Sequence, residues 1–220
     1  MNIILERINN VCKEVREKCE KPTSFKKIIL QTRRSFKRHN FDISIKTKRE
    51  KDLDIDKFYV MAYYDSENDA HGETPMEVVV HHNLIGTESF GEFQITNFLI
   101  EIYDAVAHEF RHQYQSMRRD FRDYPSPPHS PYEEYLSDND EIDAYALSIT
   151  IELLRAMDVQ RARRNLGRIT IMSKMRTGPV YSSPVLRAYI SYFGLNTIVK
   201  RMSKKILKHL ETVDKRYIFM

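Results

Sequence analysis

Cysteine is scarce in this chain of 220 residues, with Cys12 and Cys19 the only two. On the helix that their surroundings predict, they stand two turns apart, about 10 Å along the axis and too far to bridge each other. Both are expected as reduced thiols, and a zinc ribbon, which needs four ligands, is excluded. No stretch approaches the ~18 apolar residues of a membrane span, so no membrane partner is expected. Internal repeats, a Gly-rich phosphate loop and a nucleophile-elbow sequence are also missing, which removes solenoids, P-loop chemistry and serine-hydrolase chemistry of the elbow type. The first residues, Met1 to Arg7, place acid and base inside an apolar pattern. Ile4, Ile8, Val11, Cys12 and Val15 share one stripe, as in an amphipathic helix and not a signal peptide. Export by the usual route is not expected, and the cytoplasm is the expected compartment.

What is present suits a globular protein, with 41% hydrophobic and 30% charged residues. The length allows one domain or a compact pair with a full core. The net charge of +4 conceals a strong asymmetry. Residues 1–51 carry 15 basic and 6 acidic side chains, residues 52–154 carry 5 and 22, and residues 155–220 carry 15 and 3. An acidic middle concentrates cations and favours basic or neutral substrates, while basic arms can neutralise nucleic-acid phosphates or simply offset the acidic centre.

Within that acidic middle lies Ala107-His108-Glu109-Phe110-Arg111-His112. From Phe93 to Met117 the chain has no Pro or Gly, and Phe98, Ile102, Ala105, Val106, Glu109 and Phe110 follow helical spacing. Residues four apart on a helix lie about 40° apart around the axis, so His108 and His112 point the same way and can share one zinc ion. Glu109, one position around, is placed to act as general base towards an activated water. The spacing therefore points to a zinc-dependent hydrolase, with a peptidase as the first expectation.

Catalytic zinc takes three protein ligands and leaves a position for water. The third is expected from the segment around Glu141-Ile142-Asp143-Ala144, which opens a second helix with Ile142, Tyr145, Ile149, Glu152 and Leu153 on helical spacing. Glu141 is the leading candidate, with Asp143 and His129 as alternatives. Asp138 and Glu141 also have the spacing of a capping box, and acidic residues there complement the helix dipole. Candidate donors for a developing oxyanion are Tyr145, Tyr181, Tyr189, Tyr192 and an Arg of the 161–168 cluster.

On His108, Glu109, His112 and the Glu141–Ala144 segment, the chain resembles the zincin metallopeptidases, more narrowly the gluzincin-like members. The stretch from His108 to Gln115 also looks like that of small bacterial and phage-encoded metallopeptidases. The resemblance covers about a third of the chain, from Pro75 to Leu154. It implies zinc on His108, His112 and Glu141, with Glu109 as base and a protein or peptide as substrate. Arg111 departs from the family pattern, which favours an uncharged residue there. The rival expectations are a structural or interaction protein on the same scaffold, such as a phage virion component, and a nucleic-acid-associated protein using the basic arms.

Elsewhere, a basic helix is expected from Ser24 to about Lys37, and strands at Phe41–Lys46, Lys57–Tyr64 and Met76–His82. Asp65 to Thr74 reads as a turn or loop, and Asp123 to Pro131, with four of the eight Pro, as an irregular connection. His81 and His82 are expected as strand-end residues facing opposite ways. Helices are expected from Val185 to Phe193 and from Asn196 to about Val213, the latter with Ile198, Met202, Ile206 and Leu210 on its apolar stripe. The fold class expected is α+β and zincin-like: a small amino-terminal mixed or antiparallel sheet packed on the active-site helix, followed by a mainly helical part. Residues 1–154 are expected as the core, with 155–220 as a basic helical extension.

Overall fold

A computed structural model describes residues 1–55, 57–84, 89–122, 132–168 and 182–220. The chain is mixed α+β and mainly helical. Its internal contacts group into two compact units, residues 3–122 with 219–220, and residues 1–2 with 123–218. Residues 154 and 155 both lie inside one helix, so the change of composition there falls within a single element.

The first unit begins with helix α1 (Asn2–Lys18), which buries Leu5, Ile8, Val11, Cys12 and Val15, so the stripe starts at Leu5 and not at Ile4 as its spacing predicts. A two-residue strand β1 (Thr23–Ser24) leads into α2 (Phe25–Arg38). Glu14 joins the two helices. Its carboxylate accepts from Ser35 at 2.8 Å, lies 3.1 Å from His39, and pairs with Lys18 and Arg38.

Three longer strands follow as β2 (Ile43–Arg49), β3 (Phe58–Tyr64) and, after a short helix α3 (Ser66–Ala70), β4 (Met76–His82). The helix α3 corrects the expected loop. Asp65 caps it by accepting from the N–H groups of Glu67 and Asn68, which is enough to nucleate one turn. The chain then leaves through Gly72 at a φ of +72°, a left-handed conformation that favours glycine. The sheet order is β2-β4-β3, with β4 parallel to β2 and antiparallel to β3. Residues alternate in β3, so that Phe58, Val60, Ala62 and Tyr64 face inward while Tyr59, Met61 and Tyr63 are exposed.

A second short strand, β5 (Ser89–Phe90), pairs with β1 and delivers the chain to the long helix α4 (Glu92–Met117). The side-chain oxygen of Gln94 accepts the Gly91 N–H at 2.9 Å and closes its first turn. Ile95, Phe98, Leu99, Ile102, Tyr103, Val106 and Ala107 are buried along α4, which packs against β3. Phe98 meets Phe25 and Phe58 edge-on, so α2, β3 and α4 converge on one aromatic cluster.

The second unit is helical. Its described elements are α5 (Tyr132–Ser137), α6 (Asn139–Ala156), α7 (Val159–Leu166), α8 (Pro184–Phe193) and α9 (Thr197–Thr212), ending in a 3₁₀ turn at Lys215–Tyr217. Helix α6 is buried nearly all round, as befits the element around which α5, α7, α8 and α9 pack. Three of the surrounding starts have side-chain caps: Asp158 for α7, Ser183 with Pro184 in the first turn for α8, and Asn196 for α9. Glu152 of α6 accepts from the hydroxyl of Ser183 and so holds the entry to α8. On α9, Val199, Met202, Ile206, His209 and Leu210 are the buried residues, so the apolar stripe runs through Val199 and not Ile198 as expected. Among the described residues no helix is long and apolar enough to cross a membrane.

Candidate metal centre

The absence of Pro and Gly through the motif lets α4 run unbroken past His108 and His112, and both imidazoles are half-buried on one face. Their Nε2 atoms lie 3.2 Å apart, with ring centroids 4.9 Å apart and planes at 69°. Two nitrogens each about 2.0–2.1 Å from a tetrahedral cation would be about 3.3 Å apart, so the observed spacing suits a shared ion. On the far side of one ring, His112 Nδ1 lies 3.0 Å from Oε1 of the buried Gln115. An Nδ1–H donated to that carbonyl leaves the Nε2 lone pair free to ligate, the usual outer-shell arrangement for a metal-binding imidazole.

Glu141 is the third residue of α6 and is half-buried. Its position is that of a first-turn carboxylate, and Asp138 supplies the side-chain cap, accepting from Asp140 N–H at 2.7 Å. His108, His112 and Glu141 form a group able to hold a metal ion: each offers one ligand atom, and these atoms lie within 4.8 Å of one another. Two imidazoles and one carboxylate are donors suited to a divalent cation such as a transition metal.

One alternative for the third ligand has other partners. Asp143 is turned into the second unit, where Oδ1 lies 3.2 Å from His209 Nε2 and 3.4 Å from Lys205 Nζ. His129 lies outside the described residues. Arg111, the departure from the family pattern, places its guanidinium 5.1 Å from the ring centre of Tyr114.

Among the candidate oxyanion donors, Tyr189 is buried and donates its hydroxyl to Leu136 O at 3.2 Å, while Tyr192 is exposed. Tyr145 stands one turn beyond Glu141 on the same face of α6, its ring packed edge-on against Tyr189. Arg161, Arg164 and Arg168 are exposed, and Arg163 pairs with Glu211 at 3.3 Å. Tyr181 lies outside the described residues.

His81 and His82 do face opposite ways. His81 is paired with Glu50 at 2.7 Å and stacked on Tyr59, whereas His82 meets Phe25 on the inner face. Burial pushes the His82 imidazole below its ordinary pKa, as does the nearby Arg49.

Two residues with a place in this region escape sequence reasoning. Gln115 carries a faint signal, because it lies three positions after His112 and so on its side of the helix. Glu101, two turns before His108 on the same helical stripe, accepts a backbone hydrogen bond from β3. Nothing in its spacing announces that contact. In comparisons with protein-family models, curated proteins and solved structures, nothing matches this chain.

Proposed function

We propose that this protein is a zinc-dependent peptidase, with His108, His112 and Glu141 as ligands, Glu109 as general base and a protein or peptide as substrate. The observation that carries the reading is the spacing of the three donor side chains, together with the 3.2 Å approach of the two Nε2 atoms. Bound there, zinc would polarise a scissile carbonyl and lower the pKa of water towards neutrality. His108 and His112 would both present neutral Nε2 lone pairs, and an Nδ1–H donated to the Gln115 carbonyl would hold the His112 ring in that tautomer. Glu109 follows His108 in the same turn of helix. Its carboxylate takes a proton from the attacking water and returns it to the leaving amine, so one residue serves as base and then acid. Tyr145, one turn from Glu141 on α6, is the donor we assign to the negative charge developing on the carbonyl oxygen.

The test has two arms. Elemental analysis of purified protein is expected to find one zinc per chain in the wild type, and to find it lost in His108→Ala and Glu141→Ala. Hydrolysis of a casein-derived peptide mixture is expected from the wild type and to fall by orders of magnitude in Glu109→Gln, which keeps its zinc. Zinc at one equivalent with no hydrolysis by the wild type would favour a structural metal in an interaction protein. Full activity in Glu109→Gln would remove Glu109 as base.

A further inference from the structure

A buried ionisable contact of the second unit involves a residue two positions from the proposed metal ligand and belongs to no part of the mechanism above. Asp143 is only 4% exposed and His209 7%, and the two meet at 3.2 Å between α6 and α9. Lys205 Nζ approaches the same carboxylate oxygen at 3.4 Å from one turn earlier on α9. On the same two helices Met202, Ile206 and Leu210 of α9 and Ile142 of α6 are buried. A second tie, from the Arg201 guanidinium to the side-chain oxygen of Asn139, reaches the first residue of α6.

Asp143 is two residues from Glu141, and on a helix that places their side chains on opposite sides of the axis. The opening of α6 is therefore gripped by α9 on one side and presents Glu141 on the other. We infer that His209 is a positioning residue for the proposed metal centre: by holding Asp143 it fixes the rotation of the first turns of α6, and so the place of the Glu141 carboxylate.

The geometry makes the required precision plain. A side-chain atom about 6 Å from a helix axis moves by about 1 Å when the helix turns by about 10°. Metal–ligand distances tolerate only about 0.2 Å. Apolar packing alone allows several neighbouring rotations at similar cost, whereas a buried hydrogen-bonded pair is satisfied at one. The basic carboxy-terminal helix thus acts on the centre through α6 without supplying a ligand.

This inference rests on the metal reading, and the experiment separates the two. Zinc affinity of the folded apoprotein is measured by competition with a chromophoric chelator, with helicity followed by circular dichroism. His209→Leu is expected to weaken binding at least tenfold with helicity retained, and His209→Gln, which keeps a side-chain N–H donor, to restore it to within about threefold. Combining His209→Leu with Glu141→Ala is expected to weaken binding no further than Glu141→Ala alone, because the ligand is already displaced. Should His209→Leu not fold, Asp143→Asn enters the same cycle. A folded His209→Leu protein with wild-type affinity, or additive losses in the cycle, overturns the positioning role. Failure of the wild type to bind zinc overturns the metal reading, and this inference with it.

Discussion

Glu101 of α4 accepts the backbone N–H of Val60 at 3.1 Å, using a donor that the sheet leaves over because β3 is an outer strand. Burial raises the Glu101 carboxyl from its ordinary 4.5 to about 7, the hydrogen bond from Val60 opposes that rise, and the neighbouring charge of Asp104 adds to it. An unpaired strand edge is a template for further pairing, and one carboxyl group here satisfies part of it from within.

A pH dependence follows from Glu101. Its folded-state pKa lies above the unfolded value, so between about pH 4.5 and 7 the folded state holds the proton more tightly. Stability is fullest below that window, falls as pH rises through it and levels off above. Glu101→Gln keeps an acceptor for Val60 without the charge. It is expected to match the wild type near pH 4 and to exceed it by about 1–2 kcal/mol at pH 8, the figure discounted for partial exposure. Urea unfolding from pH 4 to 8.5 measures the difference, and a gap independent of pH would refute the assignment.

Gln115 is expected to tune the metal without touching it. Gln115→Ala removes the acceptor opposite His112 Nδ1 and should weaken zinc binding by about 10- to 100-fold, the usual effect of losing an outer-shell partner. Gln115→Glu, a stronger acceptor, should bind at least as tightly as wild type. Chelator competition at fixed pH reads both, and equal affinities across the three proteins would exclude the role.

Metal should also stabilise the fold. At about 100 times its dissociation constant, zinc should raise the unfolding free energy by about 2.7 kcal/mol. The rise should vanish in His108→Ala, and thermal unfolding with and without chelator is the measurement. A rise of the same size in His108→Ala would place the binding elsewhere.

Tyr145→Phe is expected to keep zinc and KM near wild type while lowering kcat by about 10²-fold, the scale of one lost oxyanion donor. Steady-state kinetics on the peptide substrate of the wild type decide this, and unchanged kcat would point to another donor.

Glu14 should behave in the opposite sense to Glu101. Burial works to raise its carboxyl, but hydrogen bonds from Lys18, Ser35 and His39, with the charge of Arg38, outweigh it and bring the pKa from 4.5 to about 2. Its stabilisation is therefore full above about pH 4.5 and is lost as pH falls towards 2. Glu14→Gln is expected to cost about 1 kcal/mol at pH 7 and nothing near pH 2. Unfolding curves at the two pH values test it, and an undiminished cost at pH 2 would show that charge is not the cause.

Much of the architecture was legible because single elements carry their own periodicity. The stripe through Ile8, Val11, Cys12 and Val15, the alternation in Phe58–Tyr64 and the Pro-free run through His108 each specify an element from neighbours within a few residues. The helix at Ser66–Ala70 was missed because one side chain, Asp65, decides it, and the stretch lacks any apolar pattern. On α9 the expected Met202, Ile206 and Leu210 are buried, while Val199 takes the place of Ile198, because both are apolar and spacing alone does not choose between them.

By itself the sequence determined local matters: which segments coil, which extend, and that His108 and His112 share a helical face. Those follow from backbone geometry repeated every few residues. Only the tertiary structure decided the partners of isolated polar groups, such as Asp143 with His209, Glu101 with the Val60 amide and Glu152 with Ser183. These contacts join residues 31 to 66 positions apart. They arise because a polar group taken out of water must find a partner wherever the packed helices and strands bring one within reach.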